Sequence, residues 1–472
     1  MPTTKREPGQ VRRRLPPEAW GPLQAVARRV RGPIDRFLEI EAASGLLLVV
    51  VAIVAVAWAN SPWRESYAAL WETPVGLRVG SFAFEQSLQW FVNDVLMVVF
   101  FLVVGLEIRR EIHEGELSEW RRAALPVIAA IGGMVVPALI YVAIAGAPST
   151  ASGWGVPMAT DIAFAVGVLS LLGTRVPPAL RVLLLALAVI DDLGAILVIA
   201  VFYSGGVVWA GIGVALASLG AIVVMQRAGV RASLAYVPPA AVAWAGTYAA
   251  GIHPTIAGVV VGLMTPVQAW LRPSDLRREA SRALDRLRTP GFPATPQDLA
   301  APVHDLMHAV VEVRSPVARH VEALHPWVAY GVMPVFALAN AGVAIDAGDY
   351  GVAAVRVAAG VAVGLAVGKP VGVALACALA AKVGVGRLPA GIGAPEVLVL
   401  GTVAGVGFTM SLFIAQLAFT DAHLLAAAKL GVLGASVVAA VTGLGLGWVV
   451  LAPVPTAGAA LTANEAEQST DA

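Results

Sequence analysis

The sequence is poor in charge and contains almost no cysteine. Charged residues make up 13% of its 472 positions and hydrophobic residues 58%, whereas a soluble protein carries about 25% charge. The single cysteine, Cys377, excludes an intrachain disulfide. The apolar segments are continuous rather than alternating, which excludes a membrane β-barrel. These features predict an all-α polytopic membrane protein.

Twelve apolar segments are candidate membrane-spanning helices. Arginine-rich connections alternate along the chain with uncharged or acidic ones, such as those near 147–155 and at Asp421. By the positive-inside rule, both termini are therefore predicted to be cytoplasmic. The predicted spans are 41–60, 88–110, 122–146, 157–173, 178–203, 206–226, 233–250, 253–268, 327–345, 352–381, 394–418 and 424–451.

Three regions flank or interrupt the membrane domain, which is predicted to cover 37–452. Residues 1–36 are rich in arginine and proline and predict a basic cytoplasmic tail, although an arginine triplet leaves a twin-arginine signal as an alternative. Residues 453–472 are small and polar and predict a disordered cytoplasmic tail. The insert 270–325 is the one large cytoplasmic connection, and its stretch SDLRREASRALDRLR predicts a surface helix capped by Ser274.

A short outer loop, residues 74–85, has the pattern of a β-hairpin. Its sequence PVGLRVGSFAFE alternates apolar side chains on both sides of Gly80–Ser81, a turn that begins with glycine. An irregular loop is the alternative. Because the edges of an exposed hairpin are unpaired, this element favours contact with a partner subunit.

Two adjacent aspartates, Asp191 and Asp192, lie in the middle of the apolar run LRVLLLALAVIDDLGAILVIAVFY. A carboxylate at that depth costs roughly 2.5–3.5 kcal/mol to insert, and two neighbours repel each other unless a cation or protons are present. Carboxylates suit a hard cation such as Na⁺ or Li⁺ and take up protons when the ion leaves. The pair therefore predicts a transport site that holds the metal ion, with burial for packing as the alternative. Because successive helix positions lie about 100° apart, one aspartate can face the ion while the other pairs with a base.

Two further spans contain interruptions. Thr160 and Asp161 interrupt the apolar run in ATDIAF, and Gly405 and Gly407 interrupt another in GVGFTMS. Paired interrupted segments in corresponding halves of a chain indicate the substrate site of a transporter. An ordinary N-cap is the alternative for the first, and close helix packing through small residues is the alternative for the second.

Several other charged residues lie within or next to apolar runs. Lys369, in VGLAVGKPVGVAL, needs an anionic partner when buried, and an aspartate of the site is the natural one; a helix-end role is the alternative. Glu107, Arg110 and Glu111, at the cytoplasmic end of the second span, indicate either a charged funnel or an interfacial ion network. His253 titrates near neutral pH, with a structural role as its alternative.

Taken together, these motifs resemble the NhaA family of bacterial Na⁺/H⁺ antiporters over about residues 35–452. The resemblance implies twelve transmembrane helices arranged as inverted-topology repeats, with discontinuous fourth and eleventh helices. Thr160 and Asp161 would lie in the break of the fourth helix, which crosses the eleventh near Gly407. The segments that carry the resemblance include FFLVVGLEIRRE, ATDIAFAVGVLSLLG, VIDDLGAI, HPTIAGV, HPWVAY, ANAGV, GKPVG and VGFTMSLFIA.

The resemblance also implies roles for individual residues. Asp192 resembles the principal ion-binding carboxylate, and Asp191 resembles a neighbour ionically linked to Lys369. Asp161 and Lys369 would offset the dipoles of the half-helices, and the outer hairpin resembles the family's dimer contact. A role in the pH response is implied for Glu107, Arg110, Glu111 and His253.

The sequence is thus predicted to encode an electrogenic secondary antiporter of the bacterial inner membrane that exports Na⁺ or Li⁺ in exchange for protons. No enzymatic activity, cofactor or nucleic-acid partner is expected; the expected partners are membrane lipid and a second subunit. An intramembrane aspartyl protease would place its aspartates on different spans, one of them in a Gly-x-Gly-Asp setting that is absent here. A cation channel, the other alternative, would not require proton exchange. The insert 270–325 is longer than the family's usual connection, so the resemblance leaves the pH set point open.

Overall fold

The computed structural model describes residues 41–80, 82–288, 296–345, 351–385, 388–389 and 391–452. The predicted tails 1–36 and 453–472 lie outside these ranges. In chain order, the helices are α1 (Glu41–Ala59), α2 (Arg64–Glu72), α3 (Leu88–Glu114), α4 (Trp120–Ala145), α5 (Ile162–Leu171), α6 (Pro178–Phe202), α7 (Trp209–Arg227), α8 (Val237–Ala249), α9 (Thr255–Met264), α10 (Pro273–Arg288), α11 (Pro296–Glu312), α12 (Pro316–Asn340), α13 (Gly351–Val383), α14 (Ala394–Ala404), α15 (Phe408–Ala418) and α16 (Ala422–Val450).

The helices confirm the class of an all-α polytopic membrane protein. Within the described ranges, 7 helices are long and apolar enough to cross a membrane, namely α3, α4, α6, α7, α12, α13 and α16. Three further bent pairs pass the same test together: α1 with α2, the 3₁₀ segment Ala151–Met158 with α5, and α14 with α15. Continuous apolar sequence produces these helices because a backbone in lipid must satisfy its own hydrogen bonds.

Helices occupy all twelve predicted positions, but some bounds differ from the predicted ones. The helices α8 and α9 contain 13 and 10 residues, so at 1.5 Å per residue each is shorter than the hydrocarbon core is thick. The ninth span begins at Pro316 rather than at 327, because Ser315 accepts a hydrogen bond from the Ala318 N–H and Pro316 occupies the first helical position.

The predicted outer hairpin is present. Strands β1 (Pro74–Val79) and β2 (Phe82–Ser87) pair antiparallel, with Val79 opposite Phe82. Gly80 has a φ of +60°, a left-handed value that glycine adopts without strain. We call this end of the bundle the hairpin end. The opposite end, where α3 finishes and α4 begins, carries Arg109, Arg110, Arg121 and Arg122, and we call it the arginine-rich end.

Glycines allow the short helix α9 to pack directly against the backbone of α3. A Cβ atom added to Gly105 of α3 would lie 2.5 Å from the carbonyl oxygen of Val259 in α9. Gly258 and Gly262 of α9 approach the backbone of α3 as closely. Such small-residue contacts drive helix association where lipid removes the hydrophobic driving force, so α9 is held in place although it is short.

The insert after α9 folds into α10 and α11 and is attached to the membrane domain by an ion pair between Arg231 and Glu312. The predicted Ser274 cap is wrong, because α10 begins at Pro273. Asp275 satisfies the start of the helix instead, accepting the Arg272 N–H at 3.2 Å. Its hydrogen bond from Arg278 lowers the pKa of the Asp275 carboxyl below its ordinary value.

Candidate functional site

Two helix breaks meet in the middle of the bundle. The chain bends by 41° between Ala151–Met158 and α5, and by 51° between α14 and α15. The Asp161 N–H in the first break donates to the carbonyl oxygen of Val406 in the second at 2.8 Å. A helix break exposes backbone groups that have no partner within their own helix, and here each break supplies partners for the other.

Asp161 joins the amino-terminal ends of two half-helices. One of its carboxylate oxygens accepts the N–H of Phe164 in α5 at 3.0 Å. The other accepts the N–H of Thr409 in α15 at 3.1 Å, and the Thr409 hydroxyl donates to the same oxygen. An anionic side chain at this position interacts favourably with the positive ends of both helix dipoles. Asp161 is therefore both a helix cap and part of the central site.

Lys369 and Asp191 form a fully buried ion pair. The Lys369 ammonium lies 2.7 Å from Asp191 Oδ2, and both side chains have 0% relative exposure. The Thr160 hydroxyl donates to the same oxygen at 2.7 Å and lies 2.9 Å from the carbonyl oxygen of Ala404, the last residue of α14. Two helices, α6 and α13, and the first helix break thus meet at one carboxylate oxygen.

Lys369 also compensates a carboxyl-terminal helix end. Its ammonium donates to the carbonyl oxygen of Met158, the last residue of the 3₁₀ segment. A cation at that end is favoured by the helix dipole. A π-helical turn, Gly364–Gly368, immediately precedes Lys369 within α13; such turns occur frequently at functional sites.

Asp192 faces a cavity rather than the lysine. The cavity has a volume of about 90 Å³, and Asp192, Asp161 and Glu107 all line it, together with His325 of α12. Asp192 is 1% exposed and interacts electrostatically with Asp191, Glu107, Asp161 and Lys369. Neighbouring helix positions are about 100° apart. The side chain of Asp191 therefore points to Lys369, whereas that of Asp192 points to the cavity.

Three carboxylate oxygens of the site have no hydrogen-bond partner among the described residues. Within the described part of the chain, both carboxylate oxygens of Asp192 and one of Asp191 are buried without a hydrogen-bond partner. Over the same residues, no group of three or more His, Cys, Asp or Glu side chains could hold a resident metal ion. Carboxylate oxygens such as these are ligands that hard cations prefer.

Three carboxylates line the cavity, those of Asp192, Asp161 and Glu107, and the lysine nearest to them is already paired with Asp191. Like charges that are close together in a low-dielectric interior disfavour one another. Protonation of a carboxylate, or a cation close to it, relieves this repulsion.

The residues predicted to respond to pH do not form one cluster. Glu107 lines the cavity, whereas the Glu111 carboxylate accepts the N–H of Glu116 at 2.7 Å and stabilises the turn after α3. Arg110 is exposed at the arginine-rich end. His253 lies 3.8 Å from Asp94 and packs its ring against Phe413. Their shared role in pH response stays a prediction.

Sequence reasoning missed two amide side chains, Asn340 of α12 and Gln416 of α15. Asn340 is completely buried and hydrogen-bonds to Asn93 of α3 at 2.8 Å, and Gln416 accepts a hydrogen bond from Asn93 at 2.6 Å. Buried amides in apolar helices are costly unless they are paired. Their isolation within apolar runs was a signal that could have revealed them.

Comparisons with known proteins identify a family and several relatives that match most of the chain. The model of the family described as Na⁺/H⁺ antiporter 1 matches residues 35–447. A Myxococcus xanthus protein named Na⁺/H⁺ antiporter NhaA 2 is 58% identical, covering 99% of this chain and 99% of its own. A Sorangium cellulosum protein of the same name is 52% identical over 97% and 98% of the two chains. A Bordetella petrii protein named Na⁺/H⁺ antiporter NhaA is 48% identical over 90% and 92%. The chain contains two discontinuous helices that meet at buried aspartates, and it matches the family model and these relatives over most of its length. This protein therefore belongs to the Na⁺/H⁺ antiporter 1 family.

Proposed function

We propose that the protein exports Na⁺ or Li⁺ in exchange for protons, with the cavity at Asp192 as the transport site. The observation that carries the proposal is the pair of unpartnered carboxylate oxygens on Asp192, buried in the bundle beside three other carboxylates. A cation and protons are alternative ways to neutralise these oxygens. The relatives' printed name, Na⁺/H⁺ antiporter, supports the same pair of ions.

The proposed cycle follows from this competition. With the cavity open to the cytoplasm, Asp192 releases a proton and its oxygens bind the cation. The helices that carry the two breaks then reorient, and protons from outside displace the ion. The Asp191–Lys369 pair can release a second proton, which would make the exchange electrogenic and drivable by the membrane potential. The only bonds that change in this cycle are the O–H and N–H bonds of the groups that bind and release protons, and the ion itself is moved unaltered, as in a transporter.

The proposed orientation places the arginine-rich end in the cytoplasm. Arg109, Arg110, Arg121 and Arg122 all lie at this end, and cytoplasmic loops carry an excess of arginine and lysine. The hairpin end would then face outward, both termini would be cytoplasmic, and the protein would lie in the bacterial inner membrane as a multi-pass protein.

Proton release on sodium binding tests the proposed competition. Adding NaCl to purified protein in weakly buffered detergent should release protons, because Na⁺ displaces them from the carboxylates. The apparent affinity for Na⁺ should fall as pH falls, since protons then occupy the same oxygens. A pH indicator dye follows the release, and choline chloride serves as the ionic-strength control. Absence of release at every pH between 6 and 9, roughly the range around neutral where a transport carboxylate must operate, would rule the competition out.

The hairpin is proposed to join two subunits. Both strands have one edge that is unpaired within the protomer, and such an edge can pair with another chain. Because Val75 and Gln86 are directly opposite each other, an Asn-Gly turn can replace residues 76–85 without moving α2 or α3. We expect the shortened protein to become monomeric, as measured by light scattering in detergent. The variant Arg78→Ala, which keeps the hairpin, should remain dimeric. An unchanged dimer in the shortened protein would show that the contact lies elsewhere.

A further inference from the structure

Three amide side chains form a closed hydrogen-bonded ring between three helices. Asn93 Nδ2 of α3 donates to Gln416 Oε1 of α15 at 2.6 Å, and Gln416 Nε2 donates to Asn340 Oδ1 of α12. Asn340 Nδ2 completes the cycle by donating to Asn93 Oδ1 at 2.8 Å. Gln89 supports the ring from one side, lying 3.2 Å from Asn340 Oδ1. We call Asn93, Asn340 and Gln416 the amide ring.

The amide ring lies at the hairpin end of the bundle, away from the cavity. Asn93 is in the first turns of α3, which starts directly after β2, and Asn340 is the last residue of α12. Gln416 is close to the carboxyl-terminal end of α15, whose amino-terminal end is at the central break. The ring therefore closes the bundle at the end opposite to Glu107 and His325, which line the cavity towards the arginine-rich end.

An aromatic cluster lies on α15 between the ring and the central break. The ring of Phe413 packs against Phe101 of α3 at 5.3 Å, Phe336 of α12 at 6.0 Å and His253 at 5.2 Å, measured between ring centroids. The same three helices, α3, α12 and α15, thus hold both the aromatic cluster and the amide ring. Together the two layers separate the Asp192 cavity from the hairpin end.

We propose that the amide ring is a latch that holds the protein closed at the hairpin end and must open in each transport cycle. The proposal rests on the proposed alternation of access to the site. Access from the hairpin end requires α15 to separate from α3 and α12, and this movement breaks two of the three hydrogen bonds of the ring at Gln416.

The chemistry of amides suits a latch that opens repeatedly. Each amide of the ring donates one hydrogen bond to the next and accepts one from the previous, so the closed ring is satisfied although Asn340 is fully buried and Asn93 and Gln416 are half-buried. When the ring opens, water replaces those bonds, so opening costs little compared with separating a buried ion pair. Removing one amide leaves unsatisfied partners only while the end is closed, which shifts the population towards the open state.

Transport measured from each side separately tests the latch. In Gln416→Ala, the apparent affinity for ²²Na⁺ presented at the hairpin end should increase about two- to tenfold, since the state competent to bind from that side becomes more populated. The apparent affinity at the arginine-rich end should stay unchanged or decrease. Vesicles of the two orientations, right-side-out and everted, give the two measurements. A general structural defect would instead lower the apparent affinity for ²²Na⁺ at both ends, and this result would overturn the latch.

Two further variants complete the design. Asn340→Ala should give the same one-sided shift, and the double variant with Gln416→Ala should add little to it, because both substitutions open one ring. Thr442→Val is the matched control, since the Thr442 hydroxyl bonds only within its own helix, to Val438 and Ala439; it should shift neither side.

A covalent lock provides an independent readout. In a Cys377→Ser background, the variant Asn93→Cys/Gln416→Cys joined by a short, cleavable thiol-specific cross-linker should stop exchange, and cleavage of the linker should restore it. Full exchange with the cross-link in place would overturn the latch, as would equal shifts on both sides in Gln416→Ala. The Asp192→Asn variant separates the two proposals: if it still exchanges ions, the proposed transport site fails, whatever the latch variants show.

Discussion

Replacing Asp192 with asparagine is expected to abolish Na⁺-dependent proton movement while leaving the protein folded in the membrane. Asparagine keeps the size of the side chain but cannot bind and release a proton or offer a charged ligand to a cation. Because both carboxylate oxygens of Asp192 are buried without a partner, the change breaks no hydrogen bond within the protein. Acridine-dye quenching in everted vesicles, at several pH values with NaCl or LiCl, measures the loss.

The matched control for this variant is Asp421→Asn. Asp421 caps α16 by accepting the N–H groups of His423 and Leu424, and asparagine caps a helix about as well as aspartate does. The same chemical change at this cap should therefore leave exchange intact. Full exchange in Asp192→Asn, with membrane levels equal to those of the control, would show that the ion binds elsewhere.

Replacing Lys369 with methionine is expected to destabilise the protein strongly. Methionine fills a similar volume but leaves the Asp191 carboxylate and the Met158 carbonyl without their buried cation. Breaking a buried ion pair by removing one partner costs about 3–5 kcal/mol. Thermal unfolding in detergent, followed by the fraction that remains monodisperse on size exclusion, should show a lowered midpoint.

Two comparisons distinguish the loss of the ion pair from a general defect. The double variant Asp191→Asn/Lys369→Met removes both charges and should recover much of the lost stability, as expected when two residues are directly coupled. Lys382→Met changes the same residue type at an exposed position in the last turn of the same helix and should have little effect. A double variant as unstable as Lys369→Met would mean that Asp191 is not the partner that matters.

The sequence alone was sufficient to predict the helical membrane class and the outer hairpin, whereas 7 to 10 of the twelve predicted spans are long and apolar enough to cross a membrane within the described residues. The length of an apolar run can be read from the local sequence. Such a run forms a helix in lipid because the helix makes all of its backbone hydrogen bonds internally. The hairpin could also be predicted from a short stretch of sequence, because a turn beginning at Gly80 fixes the register of the two strands. Helix starts were harder to predict: the ninth span was placed too late because its first turns, from Pro316, are polar enough to resemble the preceding insert.

The central site could be located from the sequence but not resolved into contacts. Thr160 and Asp161 left two interpretations open, a helix cap or part of a transport site, because the local pattern is the same for both. The structure shows that Asp161 caps α5 and also binds Thr409 of α15, so the helix cap is confirmed and the role in transport stays a prediction. The symmetry of two inverted repeats stays a prediction.

The sequence by itself determined that carboxylates and a lysine lie at the depth of the membrane, because each interrupts an apolar run that must be helical. Only the tertiary structure decided which polar side chains meet. Asp191 pairs with Lys369, and Asp192 lines the cavity together with Glu107. Asn93 hydrogen-bonds with Asn340 and Gln416. The physical reason is that burial and helix formation depend on neighbours along the chain, whereas ion pairs and hydrogen bonds between helices depend on how the helices cross.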